Sequence, residues 1–600
     1  MKKLIPFSLS FGFVLSFLSA QETTEVPPLQ VSDRPLIPVQ QTGQDVSIAT
    51  ALQSLPGVVV VTQGQAVGQS DLSIRGSSFS GAGLSLFGLA LANAQTEHFN
   101  AELPFPAWWF SRPELLTGVN QARSTEGHLT GTVSLSPLPL QNRNTLTAGI
   151  DNKDGYWGNA GSEHWVRDDS GSRTGVGAFA GFSEIPHVDF SDNDVQSARG
   201  GARIQHQSDA GQGDLLFGHQ DKSFGARGYY GVNENLDAEE RTKDTLLVGA
   251  WQSTDPRSQW NSALLLRQFE DDYKLWLPDS LFRNQHKTRS AAAQTGARWF
   301  LQENLALHTR LAADLEDIKS NSLGDFSRYR LSATLLPEWQ MTDQLKLSAG
   351  VRGEILEDEE NQLLPLARLD FTPAAVLNLH AEVSQSVRRP SYTELNYESP
   401  GSLGNAGLEL QEQTAVEIGA DWILSEAATL QAVLFQYQTS DTVDWVRPDA
   451  SAVRWQAENI GDVDTLGAEL VLDLSLQEQL HLSTSYMWMD KNPDSAPYAS
   501  RYTLDYARHF VRVQLDWIPC PSLRFEVSQW YRDQVENALR TEGGNEQWLT
   551  NLACHFRIPG TENLQFSLMA SNATDDDYRV FPGQNTVTQR RLSAGLTLDW

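Results

Sequence analysis

The chain has 600 residues but only two cysteines, Cys520 and Cys554, which are too few for a framework of disulfides. Both fall in neighbouring predicted strands, where a single bridge and two free thiols are both open. After the first 20 residues there is no run of about 20 apolar residues, so no helix is expected to span a membrane. Such a chain is either soluble or crosses a membrane as a β-barrel.

Basic residues are also scarce, with 45 Lys and Arg against 75 Asp and Glu and a net charge of −30. Because phosphate binding needs clustered positive charge, nucleic acid is excluded as a partner. The sequence contains no G-x-S-x-G elbow and no H-E-x-x-H helix, and its 12 histidines lack the spacing of a Cys/His metal site. We therefore expect no enzyme activity and no catalytic cofactor.

The one long apolar run, Leu4 to Leu18, follows Lys2-Lys3 and precedes the small residues Ser19-Ala20. This order is typical of a secretory signal peptide, which we assign to residues 1–20. Residues 21–45 are rich in Pro, Thr and Gln and have too few apolar residues to form a core. We expect them to form an extended arm in the periplasm.

Residues 46–140 contain short apolar runs separated by Gly, Pro and Asn, a pattern of short strands joined by turns. A helix is predicted from Val46 to Leu55, ahead of the first strand. This segment therefore predicts a small α/β domain.

From residue 141 onward, segments of roughly ten residues alternate apolar with polar positions and are separated by Gly, Asn, Asp and Pro. This period of two places each set of residues on one face of a sheet and is typical of a transmembrane β-barrel. The alternating apolar positions include Leu345, Leu347, Ala349 and Val351, and Leu377, Leu379, Ala381 and Val383.

The C-terminal segment is the clearest of these patterns, because Leu592, Ala594, Leu596 and Leu598 alternate with polar residues and the chain ends on Trp600. Divided among about 22 strands, residues 141–600 leave roughly 21 residues for each strand and its loop. Tryptophans near segment ends are typical of interfacial girdles. They are Trp157, Trp251, Trp260, Trp276, Trp299, Trp422 and Trp530.

Eight segments resemble the signatures of TonB-dependent outer-membrane transporters, in family order. Four lie in the predicted small domain: LPGVVV from Leu55, Ile74–Gly76, Asn93–Pro106 and GTVSLS from Gly131. Four lie in the predicted barrel: Ser384–Tyr397, Gly404–Trp422, Glu458–Leu470 and Ser571–Gly583. The resemblance implies a membrane all-β barrel of about 22 antiparallel strands at residues 141–600, with the domain at 46–140 as a plug inside the lumen.

The sequence departs from the family pattern at two plug positions. Phe87 stands where family plugs usually carry an Asp, and Thr117-Gly118 stands where they usually carry Arg-Gly. Motion of the plug is therefore less well supported by the resemblance than its fold.

The resemblance also implies a function, which is active import of a scarce chelate across the outer membrane of a Gram-negative cell. The cargo classes it suggests are a cobalamin-like corrinoid and a ferric siderophore. The partner would be a TonB-type energy-coupling protein, to which a short box in the arm adds a strand. A second candidate for the box is Glu22–Val26, and the preferred one is Leu29, Gln30, Val31, Ser32, Asp33 and Arg34.

By family architecture, the ligand binds where the plug apices meet the barrel lumen. The candidate apex residues are Ser78, Phe79, Glu97, His98 and Phe99. They offer a charge, an imidazole and stacking rings, although plug loops also carry polar residues simply because they are wet. Arg75 is expected to be a hub of buried ion pairs or hydrogen bonds in the plug rather than a ligand contact. We expect a monomer surrounded by outer-membrane lipids.

An acidic cluster in a predicted outer loop holds Asp189, Asp192 and Asp194, whose oxygens suit a structural calcium ion. The competing interpretation is a solvated run of charge, because no bidentate Glu or turn Gly lies at a defining interval.

Two further classes of function stay open. One is a passive, porin-like or structural outer-membrane barrel with a vestigial plug, which the altered Phe87 and Thr117 favour. The other is an extracytoplasmic enzyme on a tryptophan-rich β scaffold. Energy-independent flux would support the first, and solubility without detergent would support the second.

Overall fold

The structure is a computed structural model that describes residues 48–63, 68–167, 172–186, 194–231, 235–540, 544–561, 563–576 and 590–600. The predicted signal peptide and periplasmic arm lie outside the described residues. Within the part of the chain that is described, no helix has the length and apolarity needed to cross a membrane.

The N-terminal domain is a small α/β unit built on two sheets. Strands β1 and β2 form an antiparallel hairpin, and a four-stranded sheet has the order β4-β3-β6-β5, with β3 and β6 parallel. The predicted helix is shorter than expected, because the chain already turns at Ser54–Gly57, around Pro56. The elements are α1 Ile48–Leu52, β1 Val58–Gln63, β2 Gln69–Ile74, β3 Ala82–Leu86, β4 Leu89–Ala90, β5 Glu114–Leu116, α2 Gly118–Ala122 and β6 Gly131–Leu135.

The described residues after the plug form 26 strands, some very short, and one further α-helix, α3 Tyr392–Asn396. In chain order the strands are β7 Arg143–Asp151, β8 Tyr156–Arg167, β9 Arg173–Ile185, β10 Val195–Ser208, β11 Gly211–Gly225, β12 Ala238–Ser253, β13 Ser258–Leu277, β14 Ser280–Gln302, β15 Leu305–Ser320, β16 Gly324–Thr342, β17 Leu345–Leu356, β18 Gln362–Ala374, β19 Leu377–Arg388, β20 Ser402–Leu403, β21 Gln411–Ser425, β22 Ala428–Ser440, β23 Val443–Arg447, β24 Trp455–Asn459, β25 Val463–Gln477, β26 Leu480–Pro493, β27 Ala499–Ser500, β28 Ala507–Cys520, β29 Leu523–Gln534, β30 Glu546–Arg557, β31 Leu564–Ser571 and β32 Arg591–Asp599.

Twenty-two of these strands close into one antiparallel barrel, as the sequence predicts. The last strand, β32, pairs with the first, β7, and the Trp600 and Asn144 backbones exchange hydrogen bonds of 2.9 and 3.0 Å. Closure leaves no unpaired sheet edge, which a membrane requires. The short strands β20, β24, β23 and β27 form a separate sheet in the loops.

The outer face of the barrel wall is apolar and its inner face is polar. On β21, Val416 and Ile418 are 44% and 60% exposed on the outside, whereas Glu417 between them is only 2% exposed. The last strand repeats the pattern, with Leu592 and Leu596 outside and Arg591 inside. A soluble sandwich would bury its apolar face, so the polar interior and apolar exterior indicate a membrane barrel.

The N-terminal domain sits inside this barrel as a plug. Its core residues Leu84 and Val133 belong to the same buried cluster as Leu216 and Val248 of the barrel wall. The plug is therefore held partly by direct apolar contact with strands β11 and β12.

The predicted tryptophan girdle is only partly correct. Trp260, Trp276 and Trp422 are exposed on the outer surface. Trp157 is buried instead, because its indole lies across Gly149 of the paired strand, where a side chain would leave no room. Cys520 and Cys554 are both free thiols, on strands separated by β29.

Replacing Ile418 with Arg tests whether the outer face contacts lipid. Because Ile418 lies midway along β21, we expect Ile418→Arg to lower the free energy of unfolding in lipid vesicles by about 2–4 kcal/mol. The matched change near the strand end, Leu424→Arg, is expected to cost only about 0–1 kcal/mol, because Leu424 is likewise an exposed apolar residue of β21. Urea titrations of vesicle-inserted protein measure both, and equal costs at the two positions would contradict a depth-dependent lipid contact.

Candidate functional site

An open cavity lies where the plug tips meet the barrel and its loops. The plug contributes Phe79, Gln95, Thr96, His98 and Phe99. The rest of the lining comes from Tyr230, Glu240, Asp271, Tyr273, His286, Ser391, Thr393, Tyr397, Ser402, Trp445, Arg501 and Tyr502.

The floor of the cavity is the plug apex around His98, and Asp71 of β2 holds it in place. One Asp71 oxygen lies 2.7 Å from His98 Nδ1, and the other accepts a 2.7 Å hydrogen bond from the Phe99 backbone N–H. The Phe79 ring stacks on the His98 ring at 3.8 Å. Glu97 and Phe99 both have positive φ, of 58° and 63°, so the apex is a tight, strained turn.

Aromatic rings form much of the cavity wall. Tyr230 lies edge-on to Tyr273 at 5.5 Å, and Tyr502 lies edge-on to Phe79 at 4.8 Å. The His98 ring lies between them, 5.9 Å from Tyr230 and 6.0 Å from Tyr502. These rings offer apolar faces and hydroxyls to one bound molecule.

The cavity has an acidic side and a basic side. On the acidic side, Tyr230 donates a 2.6 Å hydrogen bond to Glu240, and Gln95 donates a 2.7 Å hydrogen bond to Asp271. On the basic side, the Arg501 guanidinium lies over the Trp455 and Tyr502 rings, at 5.3 and 5.4 Å. The site thus offers groups of both charges that can bind and orient a polar ligand.

A second buried group, centred on Arg75, ties the plug to the opposite barrel wall. Arg75 lies 2.9 Å from Glu417 of β21 and 3.1 Å from Glu469 of β25, and it donates a 2.7 Å hydrogen bond to the Tyr437 hydroxyl. Its guanidinium also lies 4.7 Å from the centre of the Phe435 ring. The partners of Arg75 therefore belong to the barrel, whereas the sequence prediction placed the hub within the plug.

The glycine after Arg75 makes this arrangement possible. Gly76 has φ of +70°, and a side chain there would collide with the Met489 sulfur. Only glycine combines this backbone conformation with such close approach to the wall. The turn at Gly76 thus lets Arg75 point into the barrel.

The two departures from the family pattern have distinct surroundings. Thr117 contributes one 3.3 Å hydrogen bond to Glu417 rather than a second positive charge. Phe87 and Gly88 form the β3–β4 turn, both with positive φ, and the Phe87 side chain packs on the plug core. Neither residue lines the cavity.

The structure separates the predicted apex residues into two groups. Phe79, His98 and Phe99 line the cavity, whereas Ser78 and Glu97 do not. The Ser78 hydroxyl lies 2.8 Å from that of Ser80. Glu97 instead binds Arg388 of β19, at 2.6 Å.

Two other predicted sites fall partly or wholly outside the described residues. The energy-coupling box at 29–34 and its alternative at 22–26 lie wholly outside the described residues. Asp189 and Asp192 of the acidic cluster also lie outside them. Asp194 is described and exposed. The calcium site therefore stays a prediction.

Sequence reasoning missed most of the cavity wall. Glu240 and Asp271 face the lumen on adjacent strands, and Tyr502 comes from a loop more than 200 residues further along. The alternation of β12 and β13 marks both carboxylates as lumen-facing. Nothing local to either strand indicates which lumen-facing residues lie at the level of the plug apex.

Comparison with known proteins identifies the family. A family profile described as "TonB dependent receptor-like, beta-barrel" matches residues 118–573, and one described as "TonB-dependent Receptor Plug Domain" matches residues 29–132. The chain belongs to the TonB-dependent receptor family. The matched family and its structural neighbours are receptors and transporters.

Among curated proteins, this receptor is 24% identical over 251 residues to an "Iron-regulated outer membrane virulence protein" of Vibrio cholerae. The match spans 38% of each protein, so the chain covers well under half the length of that relative. With the barrel and plug profiles, this outer-membrane relative indicates that the receptor belongs in the outer membrane.

Several solved structures share the fold over nearly the whole chain. The siderophore receptor PirA of Pseudomonas aeruginosa is 14% identical, with a TM-score of 0.69 over 93% of this chain and 96% of that one. The FrpB iron transporter of Neisseria meningitidis is 12% identical, with a TM-score of 0.71 over 94% and 98%. At these identities the likeness establishes the fold alone.

Removing Arg75 is expected to loosen the plug. Arg75→Ala leaves Glu417 and Glu469 buried without their cation, which lowers the stability of the seated plug by about 3–5 kcal/mol. The control is Arg123→Ala, since the Arg123 side chain is 38% exposed and its pair with Glu338 is worth about 0–1 kcal/mol. Limited proteolysis of the plug in rising urea measures both. Equal urea midpoints for Arg75→Ala and wild type would contradict the anchoring role.

The seating of the plug is also expected to depend on pH through Glu97. Burial raises the pKa of Glu97 from 4.5 to about 7, a rise that Glu394 adds to and that Arg388 opposes. A carboxyl with a raised pKa stabilises the folded form below pH 4.5 and loses that contribution as pH rises through about 7. We therefore expect plug release to become easier between pH 5 and pH 8, by up to about 3 kcal/mol.

Glu97→Gln isolates this contribution, because the amide keeps the shape of the side chain and does not titrate. The same proteolysis assay at pH 5 and pH 8 compares the variant with wild type. A variant whose pH profile overlays that of wild type would show that Glu97 is not the titrating group.

Proposed function

We propose that this receptor imports a ferric siderophore across the outer membrane, driven by a TonB-type protein. The observation that carries the proposal is the cavity, whose floor is the plug apex. A ligand bound there contacts the very domain that blocks the lumen. Binding and transport are therefore coupled through one element.

The choice of cargo rests on the relatives. Siderophore receptors and an iron transporter share the fold, and the curated relative is described as iron-regulated. None of these descriptions points to cobalamin, so a corrinoid is the less supported cargo.

Hydrogen bonds between the barrel wall and the plug support the proposal that the seated plug closes the barrel. Barrel cations donate hydrogen bonds to plug backbone carbonyls at several levels, including Lys222 to Gly68, Arg267 to Leu91 and Arg352 to Ala122. A plug held by so many polar contacts favours gated transport over a passive pore. Releasing such a plug requires energy from outside the chain. Members of the family obtain this energy from the inner membrane, through the N-terminal arm.

The arm supplies the connection to that partner. In the proposed mechanism, residues 1–20 direct export and are removed, and Leu29–Arg34 add a strand to the partner protein. Pulling on the arm shifts the plug towards an open state that the partner's work populates.

Deleting residues 29–34 tests this mechanism. We expect cells that express the deletion to bind a radiolabelled ferric chelate at their surface but to lose its uptake. A deletion of equal length at residues 39–44 controls for the length of the arm and is expected to retain uptake.

Three outcomes would contradict parts of the proposal. Equal uptake with and without residues 29–34 would indicate a passive barrel, provided that deletion of 22–26 also has no effect. Loss of uptake only on deletion of residues 22–26 would show that the energy-coupling box lies at those residues. Uptake of labelled cobalamin but of no ferric chelate would show that the cargo is a corrinoid and not a ferric siderophore.

A further inference from the structure

The charge of the cavity points to a more specific cargo. We infer that the receptor selects a ferric chelate that carries a cationic, ammonium-type group, and that this group binds beside Glu240 and Asp271. The inference rests on the proposed function, because it concerns the cargo of the same cavity.

The two carboxylates share one side of the cavity. Glu240 pairs with Tyr273 across β12 and β13, and Asp271 pairs with Thr242, so the two acidic residues are diagonal neighbours on the lumen face. Their carboxyl groups are close enough to share a hydrogen bond when one of them carries a proton. Glu240 is 2% exposed and Asp271 is 6% exposed. Two buried like charges repel each other unless a proton or a cation lies between them.

Nearby hydrogen-bond acceptors also lack donors. Among the described residues, Asp271 Oδ1, Gln95 Oε1 and Tyr273 Oη are shielded from water and have no hydrogen-bond partner outside the Glu240–Asp271 pair itself. All three residues line the cavity. Unpaired buried acceptors are costly, and an ammonium group presents three N–H donors.

Aromatic rings surround the same side. Tyr230 and Tyr273 meet edge-on beside the carboxylates, and Tyr397 lies in the same lining. A cation is attracted to the faces of such rings, most strongly where water is excluded. Carboxylates and aromatic faces together form a cage suited to an organic cation.

For an anionic group the cavity offers Arg501, whose Nε and Nη2 atoms are shielded from water and have no hydrogen-bond partner among the described residues. Arg501 is the one arginine among the lining residues that the structure describes, and no lysine is among them. Arg388, close to the apex, is paired with Glu97 and Glu394 through Nη2, while its Nη1 has no hydrogen-bond partner in the described part of the chain. A polyanionic ferric tris-catecholate would have to sit against Glu240 and Asp271 with one guanidinium to balance it.

The test uses two chelates that differ in one charge. The first is a linear ferric trishydroxamate with a terminal ammonium group, and the second is the same chelate with that amine acetylated. A ferric tris-catecholate is the third probe. Binding to the purified full chain in detergent is measured by titration calorimetry, and uptake is measured in cells.

Four variants complete the design. Glu240→Gln and Asp271→Asn each replace one cavity carboxyl group with a neutral amide of the same shape. Their matched controls are the adjacent residues on the outward face, Glu239→Gln and Asp272→Asn, which lie in exposed pairs with Lys274 and Arg283.

We expect acetylation to weaken binding at least about tenfold, since a hydrogen bond to a buried charged group is worth about that factor. Glu240→Gln and Asp271→Asn are expected to weaken binding of the ammonium chelate about tenfold and to leave that of the acetylated chelate nearly unchanged. The control variants are expected to match wild type.

Equal affinity for the two trishydroxamates, or tighter binding of the tris-catecholate, would overturn the inference while the import function stands. Unchanged affinity in both cavity variants would overturn it too, because the carboxylates would then share a proton rather than bind the cargo. Absence of uptake for every ferric probe would instead overturn the proposed function, and the inference with it.

Discussion

The structure depends on the buried ion pairs that join Arg75 of the plug to Glu417 and Glu469 of the barrel. A guanidinium and two carboxylates removed from water are stable only together, so the plug has one well-defined seat. The barrel must in turn present a polar interior, since the backbone of the plug also needs hydrogen-bond partners there. Lys491 supplies one of them by donating to the Gly76 carbonyl, beside Arg75.

The same constraint explains where the cavity lies. Anchored at Arg75, the plug presents its apex to the loops, and Asp71 braces that apex from below through His98 and Phe99. The apex turn is strained at Glu97 and Phe99, and Glu97 reaches the wall through Arg388. The floor of the site is therefore connected by direct contacts to the element that must move during transport.

Much of the fold could be predicted from the sequence, because a strand that separates lipid from a wet lumen must alternate. The alternation from Leu592 to Trp600 predicted the last barrel strand, and turn residues predicted the short strands of the plug. Trp157 was misplaced because pattern alone does not show that Gly149 leaves room for its indole inside the barrel.

The site was less accessible to sequence reasoning. The motif around Arg75 indicated a buried hub, but its partners Glu417 and Glu469 lie more than 300 residues away and meet it only after the barrel closes. Glu240 and Tyr502 are brought together in the same way. Strand register and depth in the lumen determine such contacts, and neither is encoded locally.

The most direct test of this account is amide hydrogen exchange of the full chain with and without the ferric chelate that is proposed as its cargo. The account predicts that bound chelate increases protection at the plug apex, residues 95–100, and in the loop around Tyr502. Protection confined to surface loops, with the apex unchanged, would contradict the claim that the plug forms the floor of the binding site.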